Sequence, residues 1–175
     1  MKKIKIFDIF LTFGLCFIIH NLYEKIPCFF ISIFSPVNES IFEHMKLFNT
    51  SLLLTTIFDY IIFKKKNINF NNLFLNLFIS IIFSISSYLI IYIPIYNKIG
   101  ENMIFSISLL FIIICITQYL SYYIYKNKNI NIINYISLIF TILIFILFTY
   151  LSYNPIFNYL FFDIINNKYG INFYI

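Results

Sequence analysis

Long stretches without a charge set the pattern of this chain. Residues 67–97, 102–125 and 129–162 form charge-free runs of 31, 24 and 34 residues. About 20 apolar residues take a helix across the hydrocarbon core of a bilayer, so each run predicts a membrane-crossing helix. The third is too long for one crossing. Asn154-Pro155 supplies a stop, because a residue before proline is pushed out of helical backbone. The stretch after it, to about 165, is too short to span and is expected at the interface.

The first half is more polar. A first span is expected at about 6–23, with Asp8 and His20 in it. Its apolar centre, 9–19, follows Lys2, Lys3 and Lys5 and has the length of a signal-peptide core. No small-x-small cleavage site comes after it, so it reads as an uncleaved helix. Ser40-Ile41-Phe42-Glu43 has the form of a capping box: the serine hydroxyl caps the helix and the glutamate reaches back to the Ser40 N–H. It predicts a second helix over 41–63, closed by Lys64, Lys65 and Lys66, while Pro36 stops any earlier helix. Between the two, 28–34 is a short apolar stretch expected to dip into the membrane. The reading is an all-α, polytopic transmembrane helix bundle forming a single integral membrane domain, 1–175. It has about five spans (6–23, 41–63, 72–95, 103–125, 131–153), an interfacial tail over 154–175 and no internal repeat.

Composition agrees. Hydrophobic residues make up 61% and charged residues 11%, against roughly 45–50% and about 25% in soluble proteins. A soluble globular protein, a disordered chain and a disulfide scaffold are excluded. Cys16 and Cys115 sit in apolar runs and read as small hydrophobes; Cys28 has no obvious disulfide partner, and no Cys/His zinc spacing occurs. The net charge of +5 comes from lysines in short groups at span ends, not from a basic face, so no nucleic-acid partner is expected. Eight of those lysines fall on one side of the expected bundle and three on the other, with Lys46 counted apart. The positive-inside rule then puts the N-terminus in the cytoplasm and the C-terminus outside. With no Trp, tyrosine alone forms the interfacial belts: Tyr92, Tyr96, Tyr150 and Tyr153 outside, and Tyr119, Tyr122, Tyr123 and Tyr125 inside.

The expected topology gathers polar, turn-rich segments on the outer side. Five candidate ligands lie among them: His20, Glu24, Glu39, Glu43 and His44. His20 and Glu24 are four residues apart on one expected helix face. Glu39, Glu43 and His44 surround the start of the second span. Two imidazoles with carboxylates suit a divalent metal such as zinc, and a spare carboxylate, Glu39 or Glu43, is a candidate general base. Asn38, Ser40, Lys46 and Asp163 complete the expected polar site. The same groups also have a purely structural reading: acids near a helix N-terminus satisfy free N–H groups, and Lys46 pairs with Glu43 three residues before it. Asp8 and Asp59, at the opposite ends of these spans, are expected to pair with nearby lysines, with a proton relay as the other reading.

The block Phe34-Ser35-Pro36-Val37-Asn38-Glu39-Ser40-Ile41-Phe42-Glu43-His44-Met45-Lys46-Leu47 resembles the signature of an uncharacterised family of bacterial multi-spanning membrane proteins. That family carries a PVNES-x-WEH-x-K-L block after a first helix with histidine and Tyr-Glu, here His20 and Tyr23-Glu24. Asn154-Pro155, Leu160-Phe161-Phe162-Asp163 and Lys168-Tyr169-Gly170-Ile171 resemble its tail, and Tyr96-Asn97-Lys98-Ile99-Gly100 is a weaker echo. Phe42 replaces the family's Trp, and Asn154-Pro155 replaces a Pro-Pro pair; neither change removes a candidate ligand. The resemblance implies a bacterial cytoplasmic membrane protein and no assigned activity. Ser40-x-x-x-His44 is also similar to a Ser/Asn-x-x-x-His step in the alkaline ceramidases and adiponectin-type receptors, which are seven-span zinc hydrolases. This chain has no histidine after His44 and too few spans for that fold. The functional expectation is a membrane protein of unknown activity with an outer His/Glu site. Its two specific forms are a metal-dependent intramembrane enzyme acting on lipid or another membrane substrate, and a small permease or membrane-complex subunit. The bilayer is the expected partner, with a second copy or a partner subunit beside it.

Overall fold

A computed structural model describes residues 1–100 and 102–171 and the backbone of 173–174. Glu101, Asn172 and Ile175 lie outside the described residues. The elements in order are α1 (Lys2–His20), α2 (Leu22–Lys25), α3 (Phe29–Phe34), α4 (Ile41–Lys65), α5 (Leu73–Ile99), α6 (Met103–Lys126), α7 (Asn131–Tyr153), β1 (Phe162–Asp163), β2 (Lys168–Tyr169) and β3 (Phe173–Tyr174). Five helical stretches are long and apolar enough to cross a membrane, the first counted as Lys2–Lys25 across its break. Each expected span is matched by a helix that ends within a few residues of its expected ends.

α1 packs on α4 and α6, and α5 packs on α4, α6 and α7. α4 is the centre: 61% of its apolar stretch is buried, against 17–33% for the other four. It is also the least hydropathic of the five. A central helix buries its polar side chains against protein, so α4 carries Ser51, Thr55 and Asp59 where a lipid-facing helix would not.

Three details depart from expectation. The first span is broken at Asn21, and Ser35 explains how. Its hydroxyl donates to Ile19 O at 2.7 Å and accepts the Tyr23 N–H at 3.1 Å. A side chain has been inserted into the helical ladder, and the chain turns there. The capping box forms by half: Ser40 Oγ accepts the Glu43 N–H at 3.3 Å, but Asn38 Oδ1 takes the Ser40 N–H and Glu43 turns to the Val37 N–H. Two tyrosines assigned to the belts, Tyr92 and Tyr125, are buried inside the bundle.

The tail folds into a three-stranded antiparallel sheet in the order β1-β2-β3. It docks on the start of α4, where Phe42 stacks between Phe148 and Phe161 and its N–H donates to Leu160 O at 2.9 Å. Gly170 makes a turn at φ +53°; a Cβ there would lie 2.5 Å from Ser152 O, so no other residue fits without a shift.

Candidate functional site

At the end of the bundle opposite the Lys2–Lys5 and Lys64–Lys66 groups, α1 ends and α4 begins side by side. His20 and His44 face each other there with their Nε2 atoms 3.0 Å apart. Glu39 Oε2 lies 3.4 Å from each of them. All three side chains are partly buried, and the three ligand atoms lie within 4.8 Å of one another, a spacing suited to a metal ion.

The outer contacts of the two imidazoles fix their protons. His44 Nδ1 lies 2.8 Å from Ser40 O, a carbonyl that only accepts, so its proton sits on Nδ1. His20 Nδ1 is held in the same way by Asn21 Oδ1 at 3.0 Å. In the neutral rings both Nε2 atoms are then lone pairs, aimed at each other and beside a carboxylate. Three acceptors converging at this distance repel unless a metal ion, or a proton taken up by one imidazole, lies between them. A tetrahedral zinc with bonds of about 2.0–2.1 Å has ligand–ligand edges of about 3.3 Å. The observed edges of 3.0, 3.4 and 3.4 Å match that shape. Three protein ligands would leave a fourth position open for water or substrate, where a bound metal acidifies water or polarises a carbonyl.

Glu39 is held in place from behind. Its N–H donates to Asp163 Oδ2 at 3.1 Å, and Asp163 also accepts from the Ile165 and Asn166 N–H groups at 3.0 Å. The buried aspartate thus ties the tail turn to the ligand's backbone. Asn38 does the same one residue earlier, donating to Gly170 O at 2.9 Å. An imidazole that takes up a second proton donates it to Glu39 and, His20 foremost, holds that carboxyl well below the usual carboxylate range.

The remaining candidates stand elsewhere. Glu24 is exposed on α2, turned away by the break at Asn21, so the expected shared face with His20 does not form. Glu43 and Lys46 make a buried ion pair at 2.8 Å. Lys46 Nζ also donates to Ser32 O at 2.8 Å and Ser152 Oγ at 2.6 Å, and Ser152 in turn donates to Glu43. Every polar atom of that knot is used internally. No sequence pattern marks Ser32 or Ser152, because single serines in apolar runs carry no spacing signal.

The three ligand atoms open onto a cavity of about 400 Å³ between α1, α4, α5, α6 and the tail. Below His20 and His44 its wall is largely apolar and aromatic, with Phe48, Tyr88, Tyr92 and Leu110 among the lining. A molecule with a polar group at the mouth and an apolar chain inside would fit it.

The fold and this site define a helical protein with membrane-span-capable helices and a polar cluster at one end. The chain belongs to the family of unknown function DUF6512, whose family profile matches residues 1–171. No curated protein and no solved structure matches it.

Proposed function

We propose that the chain is a multi-pass protein of the bacterial cytoplasmic membrane, and that His20, Glu39 and His44 hold one divalent transition metal, zinc by ligand preference, on the outer face. The bound metal would serve an enzyme acting on an amphipathic membrane substrate, a lipid or a lipid-like molecule. One observation carries the reading: two Nε2 lone pairs and a carboxylate oxygen converge at metal-ligand spacing, beside an apolar cavity. Glu43 and Lys46 hold the fold in this reading, and Glu24 has no part in the centre.

The orientation rests on the lysine asymmetry. An impermeant maleimide on intact cells tests it. Cys28 is exposed and Cys16 buried, so wild type should label and Cys28→Ser should not. Labelling only after lysis inverts the topology.

Metal analysis tests the centre. Protein purified without a histidine tag should carry about one equivalent of zinc or iron, lost in His44→Ala and in His20→Ala with the fold retained. A metal-free wild type that zinc also fails to stabilise on titration overturns the proposal, and the imidazole pair would then be a proton-sharing structural contact.

A further inference from the structure

A second polar centre lies at the other end of the α1–α4 interface, and it does not depend on the metal reading. Lys5, Asp8 and Asp59 are 5%, 0% and 1% exposed. The Lys5 ammonium contacts Asp59 closely and lies 3.1 Å from Asp8 Oδ2 and 3.2 Å from Gln118 Oε1. Tyr125 OH donates to Asp59 Oδ2 at 3.1 Å, its ring sits 4.7 Å from the ammonium, and Asn76 faces its hydroxyl from α5. Among the described residues, these are the titratable and charged groups that face the two carboxyls. α1 supplies Lys5, α6 supplies Tyr125, and α5 contributes only an amide.

The charges do not balance. Two carboxylates share one ammonium in a place that water does not reach, and a net buried charge costs several kcal/mol. The hydrogen-bond accounting fails in the same way. Asp8 Oδ1, Asp59 Oδ1 and Asn76 Oδ1 are buried without a partner, and the one Lys5 ammonium stands against both carboxyls. A proton on Asp8 corrects both faults, because it removes the surplus charge and supplies the missing donor. A metal cation fits less well, since the Lys5 ammonium already stands at the acidic atoms and would repel it.

A line of buried polar groups runs from the centre along the α1–α4 interface. From Gln118 the hydrogen bonds continue to Thr12 at 3.1 Å, from Thr12 to Thr55 at 2.9 Å, and from Thr55 to Ser51 O at 2.8 Å. Ser51 Oγ lies 3.4 Å from Cys16 Sγ, and Cys16 lines the cavity below His20 and His44. Asp8, Thr12 and Cys16 are spaced four residues apart along α1, and Asp59, Thr55 and Ser51 along α4, so the two helices present one polar seam to each other.

We propose that Asp8 and Asp59 form a proton-binding site that carries one exchangeable proton on Asp8 at neutral pH, at the foot of a polar seam leading to the cavity. Infrared difference spectroscopy on purified full-length protein reads it directly. Wild type should show the carbonyl stretch of a protonated carboxylic acid at neutral pH, and the band should shift on transfer to D2O. Asp8→Asn, a neutral isostere of the protonated acid, should lose the band and keep the wild-type melting temperature. Lys5→Met, which removes the only ammonium, should strengthen it. Absence of the band in wild type, a band unmoved by D2O, or a band that survives in Asp8→Asn overturns the proposal. Should Asp8→Asn fail to fold, the D2O shift in wild type and the gain in Lys5→Met still decide.

Discussion

The His20–Glu39–His44 cluster and the Glu43–Lys46–Ser152 knot come from one stretch of sequence, and they are opposites. Glu39 and Glu43 stand four residues apart at the start of α4. Glu43 is 1% exposed, its ammonium partner is 0% exposed, and each makes further bonds to serines or backbone. Glu39 is partly open, and its carboxylate faces two nitrogens that have no proton to offer in their neutral form. Internally satisfied charges hold helices together; convergent lone pairs beside a cavity have the geometry proposed above for a metal centre. The same residue type thus meets an internal ammonium in one case and an open imidazole pair in the other, four residues apart, and the partners of each glutamate tell the two apart.

The comparison breaks first at the knot. Glu43→Ala leaves the Lys46 ammonium buried without its counter-ion, and breaking such a pair costs about 3–5 kcal/mol. Thermal unfolding in detergent should show a large fall in melting temperature, while protein that remains folded still binds metal. Replacing both partners, Glu43→Met with Lys46→Met, should recover part of the loss, because it removes the orphan charge. A single mutant as stable as wild type would mean that the knot does not hold α4 to α3 and α7.

Much of this architecture was legible in the residues. The charge-free runs gave the spans, since a helix in lipid has no alternative to a continuous apolar surface. The Ser40 cap gave the start of α4. Less could be read at the sites. Periodicity joined Glu24 to His20 because it assumes an unbroken helix, and the break depends on Ser35, fourteen residues beyond Asn21 in the chain. The expected reach of Glu43 back to Ser40 lost to Lys46, Ser152 and the Val37 N–H, which are tertiary partners that no local pattern encodes. Tyr125 looked like a belt residue from its position at a span end, and only the packing of α6 against α1 and α4 turns its hydroxyl to Asp59.

The cluster should respond differently from the knot. Asn21→Ala removes the acceptor that keeps the His20 proton on Nδ1 and sets the ring's orientation. Losing such a support typically lowers metal affinity about 10- to 100-fold. Competition with a zinc chelator should register that loss, with a melting temperature for the metal-free protein close to wild type. A stability loss as large as that of Glu43→Ala, with affinity unchanged, would place Asn21 with the knot and erase the distinction.

The smallest effect is expected at Glu24, and it tests the break in the first span. On an unbroken helix Glu24 would lie one turn beyond His20 and could complete a four-ligand centre. In the folded chain it is exposed on α2, beyond the turn held by Ser35. Glu24→Gln should therefore leave metal content and chelator competition unchanged and shift stability by no more than about 0.5 kcal/mol, as a substitution on an open surface does. Ser35→Ala supplies the contrast, since it removes the hydroxyl that bridges Ile19 O and the Tyr23 N–H. If the first span straightens without that bridge, Glu24 comes within reach of His20, and Glu24→Gln should then change metal affinity in the Ser35→Ala background alone. A loss of metal from Glu24→Gln in the otherwise wild-type chain would mean that the helix is continuous where the cluster is assembled.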